Sequence, residues 1–491
     1  MFLRYRGRIA VALAFAVPLV VLLATVRTSV GYWDTGDLQT VAWIAGIPYP
    51  TGFPLYVIGG WVWTHAIPFA SAAARLNALS AVAIAGGAAA VCAIALLCDV
   101  AEVLAVPAAW TFAFAFPVWF RATYADVHPL GFAVSFLAIV FALRWVRRGA
   151  VRDVVAAMLI AAVALGIDNT TVLILAGGVI LTLQRPPPLR VAAGTAAAGA
   201  LIVCAAYAFL PLRSAQVTAA RLDPTLALGL PPGRPYWDDH HPASWGGFVA
   251  LVGGTSFAPG AALANIVKPE AIVAAAERYV PMVGDDFPFR LLLAGPAGLA
   301  LLAYRRPLVA LGLAVAGVVP AIFGSAYRAE ADPERYVFAL YAVTALGVAL
   351  AAGEIAGLLS GRVQRAAYAV LVLILVGVAV NEVVRGGVYF EVRADATPDA
   401  LADRIVGSTS DRAIVVAPWI YASPLAYRAY VDDAFGARIV VCGWWPDYEK
   451  DYARWLRSRT IVIVSDDIPE IAGHHVRLLA DGIPAVYELL P

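Results

Sequence analysis

Two carboxylates lie close together just after the first long apolar run of the chain. Residues 9–26 are almost purely aliphatic, and Asp34 and Asp37 follow within the segment WDTGD at residues 33–37. A carboxylate can take a proton from a hydroxyl group that lies within hydrogen-bonding reach. Carboxylates at the hydrated edge of a membrane therefore suit chemistry on a lipid-borne substrate, although acids also occur there simply because the end of a helix is easily hydrated.

The composition places these residues in a membrane protein. The chain of 491 residues is 62% hydrophobic and 14% charged, whereas soluble domains carry about 25% charged residues. Its mean hydropathy is +0.78, and several runs exceed the ~18 apolar residues that cross a bilayer. The net charge of +1 comes without a basic cluster, so no nucleic-acid partner is predicted. Four cysteines are too few for a disulfide framework.

Hydropathy and charge together predict eleven membrane spans. The apolar stretches are residues 9–26, 72–98, 103–119, 129–146, 152–167, 170–184, 191–211, 289–304, 307–325, 335–353 and 366–384. If Arg4, Arg6 and Arg8 are cytoplasmic, arginine clusters fall on four of the five connections expected on that side, as the positive-inside rule requires. The sequence thus predicts a protein of the plasma (inner) membrane with a cytoplasmic N-terminus.

Most of the polar chain is then expected on the outer face. A transmembrane domain at residues 1–390 has two long outer loops, at residues 27–71 and 212–288. Residues 391–491 alternate strand-like runs with helix-like stretches, which is typical of a small α/β domain. The strand-like runs are residues 412–417, 438–442 and 460–465. The predicted fold is a polytopic α-helical membrane protein with a C-terminal extracytoplasmic α/β domain.

Four motifs resemble a known family of polytopic membrane proteins. They are WDTGD at residues 33–37, GIPYPTGFPLY at 46–56, RLNALS at 75–80 and YAFLPLRS at 207–214. Together they resemble the GT-C glycosyltransferases, and within them the family that includes the plexin-type O-mannosyltransferase. The resemblance implies a GT-C-like fold and the use of a polyprenyl-phosphate-linked sugar at the outer or luminal face of the membrane.

The resemblance also implies roles for individual residues. It places catalytic acids at Asp34 and Asp37, and we expect Asp34 to be the general base, with Asp37 as the alternative base or as a residue that orients a substrate. The residues expected to bind substrate at motif positions are Tyr49, Asp126, His128, Trp237 and Asp238, although Asp126 could equally form a local ion pair with Arg121. Tyr49 replaces the usual histidine of the family, so mannose is not assumed to be the sugar.

Two arginines are candidates for the donor phosphate. Negative charge grows on this phosphate as the glycosidic bond breaks, and a planar guanidinium can bind it through two hydrogen bonds. Arg213, at the outer end of the seventh span, is the first candidate, although a single arginine there could equally snorkel to lipid headgroups. Arg335, at the start of the tenth span, is the second.

One short segment raises the question of a metal. Residues 238–241 read DDHH. Adjacent ligands of this kind rarely converge on one ion, and the sequence contains no second cluster with ligand spacing. The sequence therefore predicts neither a metal site nor a cofactor, and a divalent metal stays an open alternative.

These observations predict a membrane glycosyltransferase. Its expected partners are the bilayer, a polyprenyl-phosphate-linked sugar donor, and a hydroxyl acceptor on a protein or an envelope glycan. The alternative is a transporter or flippase, because many spans with charges at their ends suit either class. Transporters usually place ionisable groups at mid-membrane, often on broken helices within internal repeats. Here the charges gather under large outer loops and no repeat is visible, which favours the enzyme.

Overall fold

The chain is built mainly of helices. The computed structural model describes residues 2–68, 70–257, 259–327 and 332–491. Its helices are α1 (Phe2–Thr25), α2 (Trp33–Ile44), α3 (Pro54–Ala66), α4 (Ala72–Leu97), α5 (Glu102–Phe114), α6 (Phe116–Ala122), α7 (Val127–Arg148), α8 (Val151–Ile167), α9 (Val172–Leu183), α10 (Leu189–Ala220), α11 (Trp245–Gly253), α12 (Pro259–Asn265), α13 (Pro269–Asp286), α14 (Phe289–Arg305), α15 (Pro307–Ala326), α16 (Phe338–Gly357), α17 (Gly361–Arg385), α18 (Val388–Glu391), α19 (Thr397–Ser408), α20 (Trp419–Tyr430) and α21 (Glu449–Trp455).

Each of the eleven predicted spans is helical, and an integral membrane protein with many helices is confirmed. The number of spans is not. Among the described residues, seven helices are long and apolar enough to cross a membrane, and the count rises to nine if each of two bent helix pairs is one span. One such pair is α5 with α6, and the chain bends by 68° between these two helices. The helices α8 and α9 are short, with 17 and 12 residues.

Small residues let the helices of the bundle pack closely. A Cβ atom at Gly177 in α9 would lie 2.2 Å from the carbonyl oxygen of Gly312 in α15. A Cβ at Gly298 in α14 would lie 1.8 Å from the carbonyl oxygen of Gly347 in α16. Lipid gives no hydrophobic drive for helix association, so close van der Waals contact between backbones holds such bundles together.

The arginine-rich connections meet at one end of the bundle. Asp99, just after α4, accepts hydrogen bonds from Arg147 at 2.6 Å and from Arg306 at 2.5 Å. These arginines lie at the end of α7 and in front of α15. The helix α7 has 22 residues and is therefore about 33 Å long, so its first turn lies near the opposite end of the bundle.

The predicted first outer loop, residues 27–71, is largely helical, because α2 and α3 fill most of it. Two positions differ from the sequence-based expectation. Arg213 does not mark the end of the seventh predicted helix, since α10 continues to Ala220. Arg335 does not begin the tenth span: it lies in the 3-10 turn Pro333–Tyr336, which precedes α16.

A five-stranded sheet lies in the last quarter of the chain. Its strands are β1 (Ile414–Ala417), β2 (Ile439–Cys442), β3 (Ile461–Ser465), β4 (His475–Ala480) and β5 (Ala485–Leu490), in the order β2-β1-β3-β5-β4. The three predicted strands are present and parallel, and β5 pairs antiparallel with β3 and β4. The last two strands were not predicted, because β4 is largely exposed and lacks an apolar run. We refer to residues 391–491 as the C-terminal α/β segment; a domain boundary at residue 390 stays a prediction.

Candidate active site

A cavity of about 1090 Å³ lies where the first outer loop, the start of α7, the large outer loop and the C-terminal α/β segment meet. Side chains from distant parts of the chain line it, among them Asp34, Arg335 and Trp419. This cavity joins the elements that carry most of the predicted site residues.

Asp34 lies in the first turn of α2 and faces the cavity. Its Oδ2 atom accepts a hydrogen bond from Arg335 at 2.7 Å, and its Oδ1 atom accepts one from the indole nitrogen of Trp419 at 3.2 Å. The side chain is 25% exposed. Each carboxylate oxygen can accept more than one hydrogen bond, so Asp34 can still receive a proton from a substrate hydroxyl.

Asp37 lies one turn further along α2 in a different environment. It is fully buried, it does not line the cavity, and neither carboxylate oxygen makes a hydrogen bond of normal geometry. Burial, together with the nearby carboxylates of Asp239 and Asp34, raises the pKa of Asp37 well above its usual value. The two acids of the motif therefore differ: Asp34 is accessible, whereas Asp37 is a buried carboxyl group that favours the protonated form.

Gly36, between the two acids, allows another helix to lie directly against α2. A Cβ atom at this position would be 3.0 Å from the carbonyl carbon and from the Cβ of Ser423 in α20, and 2.4 Å from the carbonyl oxygen of Gly31. Real Cβ contacts are rarely so short. The glycine of the WDTGD motif thus has a packing role, which is to admit the C-terminal α/β segment beside Asp34.

Three arginines, Arg27, Arg121 and Arg335, line the cavity. The first two both contact the ring of Tyr124, with guanidinium carbons 5.8 and 5.6 Å from its centroid. Arg121 is almost fully buried, at 1% exposure, and forms an ion pair with Asp332. A buried cation retained beside a large cavity is an arrangement that suits an anionic ligand.

Asp126 and His128 lie at the start of α7. Asp126 accepts hydrogen bonds from the backbone nitrogen of His128 at 2.9 Å and from its Nδ1 atom at 2.7 Å, and it pairs with Arg121 at 3.2 Å. Burial alone would raise the pKa of Asp126, but His128 and Arg121 hold it below its usual value. His128 lines the cavity, whereas Asp126 does not line it and contacts both His128 and Arg121.

Tyr49 lines the cavity beside the proposed base. Its ring lies nearly perpendicular to the ring of Trp419, at a centroid distance of 6.1 Å. It also contacts the ring of Phe53, at a centroid distance of 5.2 Å. Burial, and then the negative charge of Asp34, raise the pKa of Tyr49 well above its usual value. The phenol therefore stays neutral and can donate a hydrogen bond to a substrate.

In the large outer loop, the cavity residues are shifted by two positions from the predicted pair. Asp239 and His240 line the cavity, whereas Trp237 and Asp238 do not. Asp238 accepts a hydrogen bond from His241 at 2.8 Å. In the described part of the chain, no group of three or more histidine, cysteine, aspartate and glutamate side chains is arranged to hold a metal ion.

Arg213 lies outside the cavity lining. Its guanidinium donates to the carbonyl oxygen of Ala45 at 2.7 Å and to that of Ile44 at 2.9 Å. These carbonyls end α2, and a cation at a helix C-terminus stabilises the helix. The structure therefore gives Arg213 a clear role in holding α2, the helix that carries Asp34.

Sequence reasoning overlooked Arg27 and gave Trp419 no catalytic role. Arg27 carried a usable signal, because an arginine on the predicted outer side opposes the charge bias of the loops. Trp419 carried none, since only the docking of the C-terminal α/β segment brings it to Asp34. Arg121 was recognised as a partner of Asp126 but not as a cavity residue.

The fold is that of a GT-C glycosyltransferase. ArnT from Cupriavidus metallidurans bound to undecaprenyl phosphate matches with a TM-score of 0.53 at 13% identity, covering 98% of this chain and 97% of that chain. The apo state of the same protein gives a TM-score of 0.51 at 13% identity with the same coverage. At this low identity, the match shows the fold alone.

The sequence adds a more specific finding. Residues 34–188 match the family model described as the N-terminal domain of the protein O-mannosyl-transferase TMEM260. No curated protein matches the chain significantly. The predicted resemblance is thus confirmed: the chain has the GT-C fold, and its residues 34–188 are similar to the N-terminal domain of a protein O-mannosyltransferase.

Proposed function

We propose that this glycosyltransferase moves a sugar from a polyprenyl-phosphate donor to a hydroxyl acceptor on a protein or an envelope glycan. The observation that carries the proposal is the pairing of Asp34 with Arg335 at 2.7 Å on the wall of a large cavity. One group can take the acceptor's proton, and its neighbour can bind the anion that leaves.

The reaction is a single displacement at the anomeric carbon. The acceptor oxygen attacks this carbon while its proton passes to the carboxylate of Asp34. The bond between the anomeric carbon and the phosphate oxygen breaks, and its electron pair leaves with the polyprenyl phosphate. Because one carboxylate acts as base and none acts as nucleophile, the sugar should be transferred with inversion of configuration.

The leaving phosphate gains negative charge as the bond breaks, and fixed cations near it lower the barrier. Arg335 is the proposed primary ligand, because it lines the cavity and touches the base. Arg121 and Arg27 also line the cavity, and Arg121 is held there by ion pairs with Asp126 and Asp332. Arg213, by contrast, lies outside the cavity lining, donates hydrogen bonds to the end of α2 and to Gln216, and is not part of this proposal.

The lipid part of the donor needs an apolar path beside the phosphate. The cavity wall includes the apolar side chains of Leu173, Leu263 and Phe323. The first and third belong to α9 and α15, which are helices of the bundle. The ArnT structure with undecaprenyl phosphate, which shares the fold, supports a polyprenyl phosphate here.

The proposed side of the membrane is the outer one. The arginine-rich connections around Asp99 lie at the end of α7 that is opposite to His128, a cavity residue. By the positive-inside rule, the arginine-rich end is cytoplasmic. The cavity and the C-terminal α/β segment then face outward.

The test uses the purified protein in lipid vesicles. Radiolabelled undecaprenyl-phosphate mannose and undecaprenyl-phosphate glucose are offered with Ser/Thr-rich peptides or with envelope glycans as acceptors. Wild-type protein should transfer label, and Asp34→Asn should transfer at least ~10²-fold more slowly, the usual contribution of a general base. Asp433→Asn is a matched control in the C-terminal α/β segment, where φ is 52° and asparagine tolerates that conformation.

Two outcomes would contradict the proposal. Movement of the labelled lipid across the vesicle membrane without transfer would indicate a flippase. Equal transfer rates for Asp34→Asn and Asp433→Asn would remove Asp34 as base.

A further inference from the structure

The C-terminal α/β segment reaches directly into the candidate active site. Trp419 is the first residue of α20, and its indole N–H donates to Oδ1 of Asp34 at 3.2 Å. Arg335 donates a hydrogen bond to the other oxygen of the same carboxylate. Two donors from different parts of the chain thus fix both the position and the rotation of the carboxylate plane.

The indole is itself held by aromatic rings. Tyr236, from the large outer loop, stacks on Trp419 at a centroid distance of 5.8 Å and an interplanar angle of 15°. Tyr49 meets it nearly edge-on, at 89°. Such ring contacts add to the stabilisation that comes from the buried area. The direction of the N–H bond is therefore set by the two outer loops together.

The helix that carries Trp419 is fixed to the bundle. Ser423 lies so close to Gly36 that there is no room for a side chain at this position of α2. One turn later, the hydroxyl of Tyr427 accepts a hydrogen bond from the backbone nitrogen of Ala73 at 3.0 Å. The same face of α20 thus contacts both α2 and the start of α4, so α20 cannot slide without disturbing Asp34.

We propose that Trp419 is a positioning residue for the general base, and that the C-terminal α/β segment is a part of the catalytic unit. This inference rests on the proposed function of Asp34. A hydrogen bond to a charged carboxylate is stronger than one between neutral groups. It directs the free lone pair of Oδ1 toward the acceptor hydroxyl, and a reacting group displaced by 1 Å can cost about 10²-fold in rate.

The decisive variant removes the N–H and keeps the shape. In 3-benzothienylalanine, incorporated at position 419, sulfur replaces the indole N–H. The assay uses whichever of the two labelled donors is active in the transfer test. We expect kcat to fall about tenfold while KM for the donor is unchanged, since the lost bond is to a charged group. Trp419→Phe should lose at least as much. Trp444→Phe is the matched control, because Trp444 is 58% exposed and does not line the cavity.

A double variant separates positioning from general packing. If Trp419 acts through Asp34, the benzothienyl replacement should have no further effect on the residual rate of Asp34→Asn, whereas independent effects would multiply. Full kcat in the benzothienyl protein, or a fall only in thermal stability, would overturn the inference. Undiminished activity of Asp34→Asn would instead overturn the proposed function, so the two failures are distinguishable.

Discussion

The replacement Gly36→Ala tests the close packing that joins α20 to the helix of the proposed base. The substitution adds one methyl group in the first turn of α2, between Asp34 and Asp37. No charged or hydrogen-bonding group is altered. Any loss of activity must therefore come from displacement of the surrounding chain.

The expected size of the effect follows from the contacts. The added Cβ would lie 3.0 Å from two atoms of Ser423 and 2.4 Å from the carbonyl oxygen of Gly31, against an ordinary contact of 3.4–4 Å. The neighbours must therefore withdraw by about 0.5–1 Å. Such overpacking costs about 1–3 kcal/mol, and alanine in a helix returns about 0.5–1 kcal/mol. The net loss of stability should be small, about 0–2.5 kcal/mol.

Activity should suffer more than stability. A shift of 1 Å at a reacting group costs about 10²-fold in rate, so a shift of half that size on Trp419 and Asp34 should slow transfer at least about tenfold. The assay measures the initial rate of sugar transfer and the melting temperature of the same preparation. Gly59→Ala is the matched control: it adds the same methyl group in α3, and no atom lies within 4 Å of it.

One result would refute this reasoning. If Gly36→Ala melted like the wild type and transferred sugar at the rate of Gly59→Ala, the contact between α2 and α20 would not control the position of the base. The C-terminal α/β segment would then be catalytically dispensable at this point.

Three further predictions concern single charged residues. The raised pKa of Asp37 means that the native protein keeps this proton to higher pH than the unfolded chain. Stability should therefore fall as the pH rises above about 4 toward the native pKa, and Asp37→Asn should flatten this fall in melting temperatures recorded from pH 4 to 8. For Arg335→Lys, the KM for the donor lipid should rise about tenfold, because lysine keeps the charge but cannot form two parallel hydrogen bonds to the phosphate. An unchanged KM would show that the phosphate binds at another residue. For Arg213→Ala, the melting temperature should fall with an unchanged donor KM, and a raised KM would restore Arg213 as a phosphate ligand.

The sequence predicted the helices well, because hydropathy and loop charge can be read from short stretches of sequence. Spans and arginine-rich loops are local patterns, and the structure has a helix wherever one was predicted. The count of spans was less secure: α8 and α9 are short, and a bend such as that between α5 and α6 is not visible in composition. The hairpin of β4 and β5 was overlooked since its first strand lacks an apolar run.

The site was predictable only in part. Asp34 belongs to a local motif, and the structure gives it an accessible place on the cavity wall. The different environment of Asp37 depends on burial by other segments, which spacing within the motif does not encode. In the large loop, the DDHH segment was noticed, but only the folded loop shows that Asp239 lines the cavity and that Asp238 does not. The contact of Trp419 with Asp34 joins distant residues and has no local signature.

The order in which the chain is synthesised bears on this contact. Trp419 follows Asp34 by 385 residues, a length that a ribosome adds in about 20–80 s at 5–20 residues per second. During this interval the bundle helices can enter the membrane and fold, while the carboxylate still lacks its indole partner. The nascent protein is therefore expected to pass through insertion without sugar-transfer activity. On the proposed mechanism, sugar transfer should begin only after the C-terminal α/β segment has docked against α2 and brought Trp419 to Asp34.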